Sequence, residues 1–309
     1  MLTKYLAPPQ LCASCLFNVP ELPEVETVRR GLSSLIIGKT FKNAQALSPN
    51  SFPNSPADVK NFLHGALAVS VKRRAKVLII NLSSNYSLVI HLKMTGQLVY
   101  VSALQRFGAG HPSDSLVNTL PDKSTRVDLA FTDNSHLFFN DQRKFGWVKL
   151  MPTDEVASLP FMQKVGPEPL EDNFTVEVFT TRLKRRPNTT IKAALLDQTV
   201  LAGVGNIYAD ESLWGAFIHP ARKVSSLSLS EISLLHQEVR FVMNLSIEKG
   251  GSSNQNYVNA EGKKGSYMDF ARVFRRNGLT CPRCQTTIEK LRVAGRGTHI
   301  CPTCQTAPQ

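Results

Sequence analysis

Four cysteines near the C-terminal end constrain the fold more than any other feature of this 309-residue sequence. They form two CxxC pairs, Cys281/Cys284 and Cys301/Cys304, with 16 residues between the pairs. Four thiolates on two tight turns are the ligand set that a tetrahedral Zn2+ takes. Because sulfur fills every coordination position, the pattern predicts one structural zinc ion and no catalytic one. Two disulfides are the alternative, which paired CxxC spacing disfavours in a cytosolic protein.

The charge balance favours a polyanionic partner. Lysine and arginine number 36 against 24 acidic residues, which gives a net charge of +12. Basic grooves gain affinity for nucleic acid by displacing counterions from phosphates. Residues 263 to 296 alone hold nine basic and two acidic residues. A zinc-pinned hairpin that holds Arg296 over a phosphate is the functional interpretation, and a solvated basic face is the alternative.

Hydrophobic periodicity divides the remaining chain into three parts. Apolar residues recur at helical steps from Pro23, and residues 39 to 151 then read as many short strands, which is typical of a sandwich or barrel. A stretch from Gln105 to Lys123, rich in Gly, Ser, Pro and Asn, is expected to be a mobile surface loop. Beyond residue 170 the spacing is helical, with a capping box at Ser228 and Glu231. The sequence predicts an α+β multidomain protein: a β-sandwich with a leading helix, a helical domain and a zinc module.

Two short segments carry weaker signals. Residues 1 to 19 contain a third pair, Cys12/Cys15, with one lysine and no acidic residue. They make a poor secretory signal because prolines adjoin the short apolar patch, so we expect a non-functional extension.

The motif "GVGNIYADE" places Gly203, Gly205 and Asn206 at a helix start, where backbone N–H groups could bind a phosphate. No window approaches the roughly 20 apolar residues of a membrane span.

Seven motifs, read in order, resemble the bacterial formamidopyrimidine-DNA glycosylase family: "PELPEVETVRRGL", "KRRAK", "HLKMTG", "RKFGW", "GPEPL", "GVGNIYADE" and "CPRC…CPTC". The resemblance runs from Pro20 to Cys304. It implies a catalytic β-sandwich over 20–152, a helix-two-turns-helix DNA-binding domain with a lesion-recognition loop over 153–273, and a zinc-ribbon finger over 274–309. It also implies a monomer that acts on double-stranded DNA containing oxidised bases, in the bacterial cytoplasm with the chromosome.

The activity that the resemblance implies is that of a bifunctional glycosylase and abasic-site lyase for oxidised purines, such as 8-oxoguanine and formamidopyrimidines. The amine of Pro20 would form a Schiff base with the sugar, and β- and δ-elimination would cut the strand. An internal proline nitrogen is an amide without a free lone pair, so Pro20 must become N-terminal. We expect translation to start at a GTG codon for Val19 followed by methionine removal. A cleaved propeptide is the alternative.

Other site residues also follow from the resemblance. Glu21 would be the general acid and base that protonates the sugar ring oxygen, with Glu24 in support, although glutamates also suit any helix start. Lys76 would reach the phosphate or base of the damaged nucleotide, while Lys72, Arg73 and Arg74 are expected to be solvated charges. Asn206 and Arg296 would contact DNA.

Chemistry on a base inside a duplex requires that the base be flipped out and the gap filled. Met94, Arg143 and Phe145 match the family's void-filling trio, though Met94 and Phe145 alone would more often be core residues. The segment at 256–274 resembles a loop that covers an everted purine. Met268, Gln142 and Phe274–Arg276 depart from common family patterns and leave the ranking of lesions open. An endonuclease VIII type enzyme for oxidised pyrimidines is an alternative, and so is a non-catalytic lesion-binding protein if Pro20 stays blocked.

Overall fold

The computed structural model describes residues 20–111, 113–252 and 267–308. The sequence predictions for residues 1–19 and for most of the lesion-recognition loop lie outside these ranges. The first element is helix α1 (Leu22–Ile36), which confirms the predicted leading helix. Its residues Val25, Val28 and Leu32 are buried in the core of the β-sandwich, whereas Leu22 belongs to the core of the helical domain. Helix α1 therefore joins the two large cores of the protein.

Two antiparallel sheets form the predicted β-sandwich. The five-stranded sheet has the order β1 (Phe41–Ala46), β7 (Thr125–Phe131), β8 (His136–Asp141), β5 (Gly96–Val101) and β6 (Arg106–Gly110). The four-stranded sheet has the order β2 (Ala68–Arg74), β3 (Val77–Leu82), β4 (Tyr86–His91) and β9 (Trp147–Pro152). Apolar residues from both sheets and from α1 pack into one continuous core. A face of each sheet is thereby removed from water, as two-layer packing requires.

The prediction of a mobile loop from Gln105 to Lys123 is wrong for its first part. Residues Arg106–Gly110 form strand β6, in which Phe107 pairs with Tyr100 of β5. Phe107 is buried against α1, where a Cβ on Gly31 would lie 2.1 Å from the Phe107 ring. The Arg106 guanidinium also donates to the carbonyl of Leu116 at 2.8 Å. The glycines that suggested a loop instead mark a strand that passes close to neighbouring elements.

The helical domain contains α4 (Val176–Leu183), α5 (Ile191–Leu196), α6 (Asn206–Gly215) and α7 (Leu229–Glu248). Helix α7 begins with the predicted capping box, since Ser228 Oγ accepts from the Glu231 backbone at 3.2 Å and Glu231 Oε2 accepts from the Ser228 backbone at 2.8 Å. Three shorter helices, α2 (Pro56–Asp58), α3 (Pro160–Lys164) and α8 (Tyr267–Phe270), complete the set, with a π-helical turn at Val59–Leu63.

The C-terminal module is a two-stranded hairpin of β10 (Glu289–Val293) and β11 (Arg296–Ile300). The two cysteine pairs flank this hairpin, and the module packs against helix α6. Across the described ranges, no helix combines the length and the hydropathy that a membrane crossing needs.

Candidate active site and nucleic-acid interface

The carboxylate of Glu21 lies on the N-terminal end of helix α6. Its Oε2 accepts from the Gly205 backbone at 2.8 Å, and its Oε1 accepts from the Ile207 backbone at 3.0 Å. The Gly203 N–H donates to Gln198 Oε1 at 2.9 Å. The prediction that the glycine N–H groups bind a phosphate is therefore wrong, because acceptors of the protein already occupy them. A Cβ on Gly205 would lie 2.5 Å from Glu21 Oε1, so glycine is required for this close approach.

Burial changes the acidity of Glu21. It raises the pKa of the carboxyl to about 7, against the opposing effect of Lys76 and the hydrogen bonds from Ile207 and Gly205; neighbouring Glu24 raises the pKa further. A carboxyl with a pKa near the ambient pH can both donate and recover a proton. Glu21 thus has the proton affinity that a general acid needs, and its catalytic role stays a prediction. Pro20 precedes it and is buried.

Lys76 lies at the turn of the β2–β3 hairpin and reaches the same site. Its Nζ donates to the carbonyl of Val204 at 3.1 Å, next to the glycine that binds Glu21. Burial lowers the pKa of Lys76, while the negative charges of Glu21 and Glu24 oppose that shift and Arg296 adds to it. The structure therefore brings Lys76 within electrostatic range of the predicted acid and of the predicted phosphate-binding arginine.

Glu168, in the "GPEPL" motif, fixes the turn that carries Lys76. Its carboxylate accepts from Arg73 Nη1 at 2.7 Å, Arg74 Nη1 at 2.8 Å and the Ala75 backbone at 2.5 Å. Arg73 also donates to Glu26 of helix α1 at 3.2 Å, and its side chain is only 8% exposed. The expectation that Arg73 and Arg74 are solvated charges is wrong, because both hold the hairpin against the helical half of the protein.

Glu24 also has more than a helix-start role. Its Oε2 accepts from the Glu21 backbone at 2.9 Å, and its Oε1 accepts from the Tyr208 hydroxyl at 2.6 Å and the Ser252 backbone at 2.9 Å. The carboxylate thereby ties Glu21 to helix α6 and to Ser252. This arrangement supports the predicted supporting role of Glu24.

A buried pair, Thr95 and Asp141, connects the two loops that carry Met94, Arg143 and Phe145. Asp141 accepts from the Thr95 hydroxyl, and its Oδ1 accepts from the Arg143 backbone at 3.1 Å. This pair joins the loop that carries Met94 to the loop that carries the other two residues. Phe145 is 53% exposed and packs against the Arg143 guanidinium, 5.1 Å from the ring centroid. A core role for Phe145 is therefore wrong, and the void-filling role stays a prediction.

His91 is a residue that the sequence analysis missed, although it begins the "HLKMTG" motif. Its Nδ1 accepts from the Lys93 backbone at 3.0 Å, which leaves Nε2 to carry the proton. Burial, together with the charges of Lys93 and Lys76, lowers the pKa of His91 to about 3. The imidazole is thus a neutral hydrogen-bond donor close to Lys76.

A buried ion pair positions the zinc hairpin and was also missed. Lys192 Nζ donates to Asp210 Oδ1 at 2.6 Å and to Thr298 Oγ1 at 2.7 Å, and both charged side chains are fully buried. Asn206 Nδ2 donates to the carbonyl of Gly297 at 3.0 Å. The predicted DNA contacts Asn206 and Arg296 therefore lie next to each other. The sequence signal was a lysine inside the otherwise apolar segment "IKAALL".

The four cysteines fit a zinc ion. Their sulfur atoms all lie within 4.8 Å of one another, and the separations Cys281–Cys304, Cys284–Cys301 and Cys284–Cys304 are 4.0, 3.3 and 3.5 Å. A tetrahedron with Zn–S distances of about 2.3 Å has edges of about 3.8 Å. No disulfide joins these four cysteines, so the disulfide alternative is wrong. The module holds one structural Zn2+, as predicted.

The protein arranges a β-sandwich, a helical domain and a basic zinc hairpin around a protonatable carboxyl and a lysine. These features define the class of zinc-finger DNA glycosylases. Three family models match in succession: the formamidopyrimidine-DNA glycosylase N-terminal domain over residues 19–148, its H2TH domain over 165–257, and the zinc finger found in FPG and IleRS over 278–307. The chain belongs to the formamidopyrimidine-DNA glycosylase family.

Individual relatives agree with this assignment. The formamidopyrimidine-DNA glycosylase of Herpetosiphon aurantiacus is 42% identical over 289 residues, which cover 93% of this chain and 100% of that protein. The enzyme of Geobacillus kaustophilus is 40% identical with the same coverage. Among solved structures, Lactococcus lactis Fpg in complex with abasic-site DNA is 35% identical, with a TM-score of 0.81 over 93% of this chain and all of that one. MutM in complex with carbocyclic 8-oxo-G DNA gives a TM-score of 0.80 at 35% identity, again over 93% and 100%.

Proposed function

We propose that the protein is a bifunctional DNA glycosylase and abasic-site lyase of base excision repair, which removes oxidised purines such as 8-oxoguanine and formamidopyrimidines. Family membership supports this proposal, as do the DNA ligands in the names of similar structures: Fapy-dG, 8-oxo-G and abasic sites. The single observation that carries it is the buried Glu21 carboxyl, which follows Pro20 and faces Lys76.

The chemistry begins at the amine of Pro20. The nitrogen lone pair attacks C1′ of the damaged nucleotide, and the bond from C1′ to the base breaks with its electron pair on the base. The proton given up by the amine neutralises the departing base. Glu21 donates its proton to the sugar ring oxygen, which opens the ring and leaves a positively charged iminium (Schiff base) between Pro20 and C1′ and a carboxylate on Glu21. Glu21 then takes part in the proton transfers of β- and δ-elimination, which break the C–O bonds from the sugar to its 3′ and 5′ phosphates and leave those phosphates on the two DNA ends. The helix α6 N–H groups stabilise the Glu21 carboxylate after each donation.

The active form begins at Pro20 in this proposal. The N-terminal family model matches from residue 19, and the relative from Herpetosiphon aurantiacus is matched over its whole length by 93% of this chain. Initiation at codon 19 with removal of methionine and cleavage of a propeptide would both expose the amine. The intact mass of the protein from its native source tests both, since a retained Met1 would exclude them.

The surface around the proposed active site binds the DNA duplex. Lys76, His91, Asn206 and Arg296 present nitrogen donors to the phosphates around the damaged nucleotide, and Met94, Arg143 and Phe145 fill the gap left by the everted base. Such an enzyme acts as a monomer, and its place is with the chromosome in the bacterial cytoplasm.

Duplex oligonucleotides that differ in one base test the substrate class. We expect excision of 8-oxoguanine opposite cytosine and trapping of a covalent protein–DNA adduct by borohydride, which reduces only an imine. Preference for an oxidised pyrimidine would instead identify an endonuclease VIII type enzyme. Lesion binding with no adduct would identify a non-catalytic protein.

A further inference from the structure

Trp214, near the end of helix α6, packs against the zinc site. It shares a small buried cluster with the ligands Cys281 and Cys301. The guanidinium groups of Arg272 and Arg283 lie 4.8 and 3.9 Å from the centroid of the indole ring. Arg283 belongs to the CPRC turn itself. The plane of the indole is therefore fixed relative to the cysteines by cation–π contacts.

The indole N–H of Trp214 is buried, and within the described part of the chain it has no hydrogen-bond acceptor at normal geometry. Indole is a donor only, and buried donors are nearly always paired. Trp214 shares its buried cluster with Cys281, whose sulfur can accept a hydrogen bond from this N–H. A neutral thiol is a weak acceptor, whereas a zinc-bound thiolate carries negative charge and accepts strongly.

We propose that the indole N–H of Trp214 donates to the zinc-bound thiolate of Cys281, which makes Trp214 a positioning residue between the zinc module and helix α6. Donors to zinc ligands set the orientation of those ligands and the affinity of the site for its metal. The hydrogen bond gives the buried indole N–H a partner and connects helix α6 to the zinc module.

A second contact also connects the zinc module to helix α6. Arg283 donates to the carbonyls of Trp214 and Gly215, at 3.1 and 3.4 Å, where helix α6 ends. The other end of the same helix holds Glu21. Through α6, the indole–thiolate bond fixes the orientation of the zinc hairpin relative to the proposed acid.

Cadmium-113 in place of zinc makes this hydrogen bond directly visible. In the full-length protein loaded with 113Cd2+, scalar coupling through an N–H···S–Cd link gives a cross-peak between the metal and the indole proton. We expect a cross-peak for Trp214 and none for Trp147, which lies in β9 of the sandwich and serves as an internal control. Absence of the Trp214 cross-peak from a fully loaded sample overturns the proposal.

The variant Trp214→Phe keeps an aromatic ring for both arginines but removes the N–H. We expect zinc release to a chelator to be at least about tenfold faster than in the wild type, the usual effect of losing a partner of a metal ligand. Trp147→Phe is the matched control and should release zinc at the wild-type rate. Release from Trp214→Phe within twofold of wild type also overturns the proposal. If this variant does not fold, the cadmium experiment on the wild-type protein still decides.

Discussion

Glu21 Oε2 lies 2.8 Å from the backbone nitrogen of Gly205, which is 184 residues further along the chain, so a carboxylate at the start of helix α1 caps helix α6. Two domains thereby share one hydrogen-bonded carboxylate. The helix start stabilises the charge that forms when Glu21 gives up its proton, while burial opposes that charge.

Gly205→Ala should inactivate the enzyme through one methyl group. Gly205 has an extended backbone with φ of −132°, so alanine is not strained there, but its Cβ would lie 2.5 Å from Glu21 Oε1. We expect single-turnover excision of 8-oxoguanine to fall by about 100-fold or more, because a displaced catalytic group loses its near-attack geometry. Binding to an abasic-site analogue should change little. Normal excision by a folded Gly205→Ala protein would show that the carboxylate position does not matter.

The pH dependence of base excision should report Glu21. Its pKa is raised to about 7 by burial, so the carboxyl is protonated below that pH and competent as an acid. The rate of single-turnover excision should therefore decline as the pH rises through about 7. The Pro20 amine must be neutral to attack the sugar, and a fall in pH protonates it. The excision rate should therefore also decline at the acid end of the pH profile.

Glu21→Gln removes the proton donor and keeps the shape of the side chain. We expect excision to be abolished while DNA binding persists, because the amide can still fill the site at the start of α6. Glu248→Gln, at the exposed end of α7, is the control and should behave as the wild type. Excision by Glu21→Gln at the wild-type rate would contradict the assignment.

Glu168→Gln should destabilise the protein by about 3–5 kcal/mol, the cost of removing one partner from a buried ion pair. Its carboxylate accepts from Arg73, whose side chain is 8% exposed, and from the turn before Lys76. The free energy of urea unfolding measures the loss. Asp133→Asn removes a more exposed partner, that of Lys39, and should cost less than about 1 kcal/mol. Equal effects of the two substitutions would show that the Glu168 network is not an important restraint.

Arg143→Ala should weaken the preference for cytosine opposite the lesion. The loop itself should survive, since the Arg143 backbone is held by Thr95 at 3.0 Å and Asp141 at 3.1 Å. Excision rates on 8-oxoguanine paired with each of the four bases measure the preference. Lys144→Ala, at the exposed neighbouring position, is the matched control. An unaltered preference in Arg143→Ala would remove this residue from the predicted trio.

Features set by local pattern were predictable from the sequence. The cysteine spacing predicted the zinc site, and the succession of short strand-like segments predicted the sandwich, because both depend on neighbours within a few residues. The stretch from Gln105 was mistaken for a loop because its glycines leave room for close neighbours: a Cβ on Gly108 would lie 2.9 Å from Leu116, and one on Gly110 would lie 2.5 Å from the carbonyl oxygen of Gly96. A glycine-rich strand and a loop have the same local composition.

Contacts between residues that are far apart in the sequence explain the other differences between prediction and structure. A helix start rich in glycine has the same sequence whether its N–H groups meet a phosphate or the protein's own Glu21. Arg73 resembled a surface charge because its partner Glu168 is 95 residues away, and Lys192 is fixed by Asp210 and by a strand more than 100 residues further on. Such partners are set by the tertiary fold.

The nucleophile is the central claim, and borohydride trapping tests it most directly. Two homogeneous preparations are compared on an 8-oxoguanine duplex: one that begins at Pro20 and one that retains all nineteen preceding residues. The account predicts a covalent adduct only with the first, and peptide mass mapping should place the DNA on the nitrogen of residue 20. An adduct that forms at the same rate with the longer protein would contradict the account.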